Sequence, residues 1–281
     1  MARFKQVTIV GLGLIGSSLG MALRKRKLAR RVVGLSRSRA TCARAKRAGA
    51  IDVGTTETSQ AVADADVVVL ATPVDSIVPY AHRLAHAMKP GALLTDVGST
   101  KRAIVEQLER SLPKHVLFIG GHPVAGSEQR GLEAAEANLF DGAVHILTPT
   151  ARTPRAALAA ARKLWEPLAG AVIVMTPADH DRLLAQTSHL PHLLAYTLAQ
   201  IVNPAPLPKA PRSFLDMTRI AKSDPDLWDD IFLSNRRELL AAMDTFHHEW
   251  HKLRTLLLRG RRAQLHRVLA QGKARRDALH D

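Results

Sequence analysis

Thr8–Gly16 reads TIVGLGLIG: a run of β-forming apolar residues empties into Gly11, Gly13 and Gly16, and a helical pattern continues through Leu23. Strand, tight turn and helix in that order are what the fingerprint of a dinucleotide-binding βαβ unit requires. Gly11 permits the turn, Gly13 lets backbone approach a pyrophosphate, and Gly16 lets helix and strand pack closely. Leu14 and Ile15 begin the helix, whose open N–H groups face an anion. A second strand, Arg31–Leu35, follows.

Where NAD-binding chains carry an acid at the end of that strand, about twenty residues past the last glycine, this sequence has Ser36-Arg37-Ser38-Arg39. A carboxylate repels a 2′-phosphate, whereas a hydroxyl and an arginine fork bind one through charge-assisted hydrogen bonds. NADP is therefore expected over NAD, with Ser36 and Arg37 as contacts. The alternative reading makes Arg37 and Arg39 ordinary solvated charges.

Composition agrees with a soluble enzyme of one or two domains: 281 residues, 46% of them hydrophobic, are enough for a sizeable core. The longest apolar runs, Val67–Ala71 and Ala171–Met175, are strand-sized and too short to cross a bilayer, so no membrane partner is expected. No signal-peptide pattern precedes the first strand. The single cysteine, Cys42, excludes an intrachain disulfide and fits a reducing cytoplasm. A net charge of +15 raises the question of nucleic acid. The basic residues are scattered, no recognition motif accompanies them, and aromatics, at 4%, are too few for a stacking platform. No nucleic-acid partner is expected, and a positive field that attracts NADP and a polyanionic substrate explains part of the excess.

Onward, strand and helix patterns alternate: Ala65–Ala71, a helix over Asp75–Met88, Leu93–Val97, a helix over Lys101–Arg110, then Val116–Gly120. Two further β-like runs, Ala143–Thr148 and Ala171–Met175, flank a helix over Pro154–Leu168. Beyond Pro177 helical periodicity takes over, broken by the proline-rich Asn203–Pro211. The pattern predicts an α/β protein: an N-terminal Rossmann-type doubly wound parallel sheet over 1–175, followed by an all-helical domain over 176–281.

Three segments carry chemistry. Asp96-Val97-Gly98-Ser99-Thr100-Lys101 closes one strand and opens a helix, and Gly120-Gly121-His122-Pro123-Val124-Ala125-Gly126-Ser127-Glu128 follows the next. Strand ends are where open α/β sheets bind ligands, and a histidine there can be a general base. Ser188-His189-Leu190-Pro191-His192 opens the helical half, where Asp216-Met217-Thr218-Arg219-Ile220-Ala221-Lys222 adds a cation. These stretches, with ATPV at Ala71–Val74, occur together and in order, and the chain thereby resembles the prephenate and arogenate dehydrogenase family, the TyrA-type enzymes of tyrosine biosynthesis. GxGxxG is shared by many dehydrogenases; HPVAGSE, SHLPH and TRIA together are specific.

The resemblance implies oxidative decarboxylation of a cyclohexadienol, prephenate or L-arogenate: hydride leaves the carbinol carbon for C4 of the nicotinamide, and the ring carboxylate departs as carbon dioxide. His122 matches the catalytic histidine, neutral near pH 7 and taking the ring hydroxyl's proton. Ser99 matches the serine that hydrogen-bonds the same hydroxyl, beside the nicotinamide. Arg219 matches the arginine that grips a substrate carboxylate. Ser188 and His192 match pocket residues, with Glu128, Asp216 and Trp228 as further candidates, although Trp228 also reads as core and Asp216 as a group that only orients Arg219. Thr72 and Pro73 join the glycines, Leu14 and Ile15 on the cofactor side, and a cytoplasmic homodimer through the helical domain is implied.

The match has departures. Many relatives have an aspartate where Ser36-Arg37 stands, and a glycine-rich loop where Pro208-Lys209-Ala210-Pro211-Arg212-Ser213 stands. Ending at Asp281, the sequence leaves no length for an ACT domain or a fused chorismate mutase, so tyrosine inhibition is expected only at the active site. His82 with His86, and His247 with His251, have metal-compatible helical spacing, but hydride transfer needs no metal and solvated or packing roles are expected. Apolar residues of the helical half, among them Leu183, Leu193, Leu194, Leu198, Ile231, Phe232, Leu239 and Leu240, exceed what a small domain buries alone, which favours a second copy. Two rival readings share only part of the pattern. One is a β-hydroxyacid dehydrogenase or pyrroline-carboxylate reductase, which does not need HPVAGSE with TRIA. The other is a non-enzymatic NADP-sensing or nucleic-acid-binding protein, for which only the charge speaks.

Overall fold

The computed structural model describes residues 3–126, 129–202 and 209–279. Two compact units result, Met1–Asn235 and Arg236–Asp281. The first opens with β1 (Phe4–Val10), α1 (Leu14–Lys25) and β2 (Ala29–Leu35). Next come α2 (Arg39–Arg47), β3 (Val53–Thr55), α3 (Thr58–Val62), β4 (Val67–Leu70), α4 (Val74–Ala85), β5 (Leu93–Asp96) and α5 (Arg102–Ser111). β6 (Leu117–Val124), β7 (Val144–Thr148), α6 (Arg155–Trp165) and β8 (Ala171–Val174) complete the sheet, and α7 (Pro177–Leu184), α8 (Leu190–Ile201), α9 (Arg212–Thr218) and α10 (Pro225–Ser234) follow.

The eight strands lie in the order β3-β2-β1-β4-β5-β6-β7-β8. β4, VVVL, is buried along its whole length, as befits a parallel strand with helices on both faces. Leu19 and Leu23 of α1 and Leu164 of α6 belong to one core cluster. Ile77 and Leu84 of α4 and Leu108 of α5 belong to the other. Each such side chain contributes about 2 kcal/mol by leaving water. The chain runs outward from β1 through β2 to β3 on one side and from β4 through β5 on the other, so the C-terminal ends of β1 and β4 flank the topological switch point where a nucleotide crevice forms.

The sheet is mostly parallel, as expected, with one local departure: β7 pairs with β6 antiparallel, then β8 runs parallel to β7. A parallel return needs a crossover, usually a helix, and the described residues between β6 and β7 supply only a 3-10 turn, Leu132–Ala134. The switch matters for the site. β6 pairs with β5 through Leu117–Ile119 and with β7 through Gly120–Val124, so His122 stands just past the end of β5, at the ligand-binding edge.

In the second unit α11 (Arg236–Leu258) and α12 (Arg262–Asp277) form a helical hairpin, turned at Gly260 with φ +59. Leu240, Met243, Phe246, Trp250 and Leu257 recur along α11 at helical spacing and are exposed, with the Phe246 and Trp250 rings stacked 6.0 Å apart. Among the described residues no helix is long and apolar enough to cross a membrane.

Candidate active site

The glycine turn behaves as its sequence demands. Gly11 has φ +95, and a Cβ there would stand 2.3 Å from the Ala71 carbonyl oxygen. A Cβ on Gly16 would stand 2.0 Å from the Gly11 oxygen, whereas one on Gly13 would meet nothing within 4 Å. Gly11 and Gly16 are thus required by the fold itself, and Gly13 leaves room for something outside the chain. α1 starts at Leu14 with no side-chain cap and no acid in its first turn, and half-buried Ile15 packs against the core. Pro73 stands at the N-cap of α4, again without a side-chain cap. The Thr72 hydroxyl beside Gly11 is buried without a partner. Two open helix N-termini, an orphaned hydroxyl and the bare backbone at Gly13 fit the pyrophosphate of a dinucleotide.

At the end of β2, Ser36 is half-buried and Arg37 exposed. Ser38 is committed elsewhere, accepting from Thr41 N at 3.3 Å to cap α2. A paired test separates the two kinds of glycine. Gly16→Ala is expected to destabilise the fold by about 1–3 kcal/mol, through forced backbone movement. Gly13→Ala, at φ −83, is expected to leave the urea midpoint unchanged and to weaken nucleotide binding at least about 10-fold, about 1.4 kcal/mol. Equal loss of stability in both variants would contradict this division.

Beside this crevice, a cavity of ≈ 540 Å³ is lined by Ser99, His122, Ser188, His192, Arg219 and Trp228, among others. Asp96, at the end of β5, forms a fully buried ion pair with Lys101. Its carboxylate also accepts from Gly98 N at 2.9 Å and Gly121 N at 3.2 Å. The TDVGSTK turn, and with it Ser99, is thereby tied to the backbone next to His122. Glycine is needed at Gly121, where a Cβ would stand 2.9 Å from Nε2 of His145.

His122 is only 8% exposed. Its Nδ1 meets His180 Nε2 at 2.9 Å, and His180 Nδ1 meets Asp181 Oδ1 at 2.7 Å. Burial, followed by the nearby His180, Lys101, His145 and His189, pushes the His122 pKa well below the usual histidine range. The imidazole is therefore neutral at pH 7, as a general base must be.

Ser188 belongs to a π-helical turn, Ala185–His189, that joins α7 to α8. Pro191 lacks an N–H and crowds the carbonyl four residues back, which disfavours a regular α-helical passage. His192 donates from Nδ1 to the Ser188 carbonyl at 2.8 Å and stacks on Trp228 with 3.5 Å between ring centroids. Burial, then Arg219, lowers the His192 pKa against the opposing Ser188 hydrogen bond. Trp228 joins both readings given to it, lining the cavity and belonging to the core.

One expected pocket residue stands apart. Asp216 is exposed, faces Arg212 at 3.8 Å, and does not line the cavity; one turn before Arg219 on a short helix, it points to solvent. Glu128 lies outside the described residues. Arg130 and Asp224 line the cavity and form an ion pair there, and His180 and Asp181 lie behind His122. No motif marks these four; only the fold brings them together.

Residues 19–175 match the family model described as prephenate dehydrogenase, nucleotide-binding domain, and residues 176–271 match prephenate dehydrogenase, dimerization domain. A cyclohexadienyl dehydrogenase of Zymomonas mobilis is 38% identical over 264 residues, covering 92% of this chain and 90% of that one. Among solved structures, the prephenate dehydrogenase of Aquifex aeolicus with hydroxyphenyl propionate and NAD+ superposes with a TM-score of 0.89 at 35% identity, covering 97% of each chain. The arogenate dehydrogenase of Synechocystis superposes at 0.83 and 35%, covering 97% of this chain and 99% of that one. With both halves matched and the fingerprint, buried histidine and arginine-lined cavity in place, the chain belongs to the prephenate and arogenate dehydrogenase family.

Proposed function

We propose that this protein is an NADP-dependent dehydrogenase that oxidatively decarboxylates L-arogenate to tyrosine, or prephenate to 4-hydroxyphenylpyruvate. The observation that carries the reading is a neutral, buried His122 sharing one cavity with Ser99 and Arg219. The bound nicotinamide supplies the hydride acceptor. His122 takes the proton of the ring hydroxyl as the carbinol carbon is oxidised, and Ser99 holds that hydroxyl in line. Arg219 grips a carboxylate with its planar fork, and the stacked His192–Trp228 pair offers a flat wall to the ring. Ser36 and Arg37, in place of an acid, support NADP.

Arg130 and Asp224 favour arogenate. Their side chains meet in the cavity and present a plus and a minus charge together, the complement of a zwitterionic α-amino acid. A keto acid satisfies only the cation. The test is reduction of NADP and of NAD with each substrate in parallel, followed by nicotinamide absorbance. NADP with arogenate is expected to be fastest. Asp224→Asn is expected to lower kcat/KM for arogenate about 10- to 100-fold, about 1.4–2.7 kcal/mol, while sparing prephenate; equal losses on both would refute the assignment of Asp224.

The working unit in this reading is a homodimer formed through the helical region. The description of the matched C-terminal family model and the exposed apolar stripe on α11 support it.

A further inference from the structure

Behind the base assigned above, on which this inference rests, lie two buried side chains that the reaction does not otherwise employ. We infer that His180 and Asp181 are positioning residues that lock His122 in the tautomer with hydrogen on Nδ1, leaving Nε2 as its proton acceptor. α5 begins at Arg102 without a side-chain cap from its own N-cap residue, Lys101. Asp181, reaching over from α7, supplies the missing acceptor: Lys101 N donates to Oδ1 at 2.8 Å and Arg102 N to Oδ2 at 2.9 Å. Both oxygens face donors, so the 2.7 Å contact between Oδ1 and His180 Nδ1 is satisfied when Nδ1 carries the hydrogen.

A neutral His180 then has a bare Nε2, and the 2.9 Å contact with His122 Nδ1 is satisfied only when that nitrogen donates. The opposite tautomers would set lone pair against lone pair inside a water-poor interior, where an unmet polar group costs about 1–3 kcal/mol. Asn235 secures the other side of the relay, donating from Nδ2 to the Asp181 carbonyl at 2.8 Å and lying 3.1 Å from His189 Nδ1. His180 and Asp181 are 0% and 2% exposed, so bulk water does not compete for these bonds. During turnover the proton moves from the substrate hydroxyl to His122 Nε2. The resulting imidazolium keeps its Nδ1–H on His180, with the Asp181 carboxylate beyond it to balance the charge. A carboxylate that sets the tautomer of a catalytic histidine is a known device; here it acts through a second ring.

Nitrogen-15 NMR of the histidine-labelled wild-type protein tests the inference without any substrate. His122→Asn and His180→Gln spectra assign the two rings, and both are expected to show Nδ1 protonated and Nε2 bare. A His122 ring with Nε2 protonated would overturn it. In kinetics, Asp181→Asn gives one α5 N–H or His180 a mismatched partner. It and His180→Gln are expected to lower kcat about 10- to 100-fold, the usual cost of losing an orienting partner, with KM and nucleotide Kd changed less than about twofold. Wild-type kcat in a folded, nucleotide-binding Asp181→Asn would also overturn it. If the wild type turns over neither substrate, the assigned reaction fails, and the NMR result still decides the tautomer.

Discussion

His122→Asn is expected to lower kcat by about 10²- to 10⁴-fold, the range that general base catalysis supplies, while nucleotide binding is retained. Asparagine keeps a hydrogen-bonding amide near the place of Nδ1, so the contact with His180 has a successor, but it has no basic atom where Nε2 was. His122 lies beyond the glycine turn, on β6 past the end of β5, so the cofactor crevice at β1 and β4 is left untouched. Loss of turnover with intact binding thus separates an enzyme from an NADP-sensing module. Steady-state rates by nicotinamide absorbance, with binding by calorimetry, make the measurement. A kcat within about tenfold of wild type would mean that another group takes the proton.

The glycine turn and strand ends were legible because their chemistry is local. Gly11 and Gly16 are demanded by contacts with Ala71 and within the turn itself, and continuous apolar runs such as Val67–Leu70 mark buried parallel strands. Of the cavity, the residues in contiguous motifs were readable: Ser99, His122, Ser188, His192 and Arg219 all line it. α2 and β3 are faint in the sequence because α2, RATCARAKR, buries only Cys42 and Ala45, and β3 has three residues. The antiparallel direction of β7 is not written in its sequence, because an apolar run such as VHILT does not encode strand direction. His180 and Asp181 sit in PADHDRLL, which reads as a solvated helix start, yet docking against α5 and β6 buries both. Arg130 and Asp224 are ninety-four positions apart in sequence, and nothing short of the folded chain pairs them.

Acid is expected to unfold this protein early, and through its histidines before its carboxylates. His122, His145, His180 and His189 are all buried. Burial is the first cause of a lowered pKa in each, to about 4 for His189. His145 has neither ring nitrogen bonded and lies 3.8 Å from the Trp165 ring in a stack. A histidine whose folded pKa lies below its unfolded value near 6.5 binds its proton more readily when unfolded, so it destabilises the fold as pH falls from that value toward the folded one. Each contributes up to about 1.4 kcal/mol per pH unit in that window. Two or more acting together rival a typical total stability of about 5–15 kcal/mol within two units. Asp66, whose pKa is lowered chiefly by its hydrogen bond with Lys89 against the opposing effect of burial, withdraws its contribution only below about pH 4. Urea unfolding at pH 7.5, 6.5, 5.5 and 4.5 is expected to show little change over the first interval and a steep fall over the next two. A midpoint that stays level to pH 4.5 would show these rings titrating normally in the native state. In that case the neutrality of His122 would lose its physical basis, because the burial that keeps the ring uncharged at pH 7 is the same burial that the fold cannot sustain once the ring must carry charge.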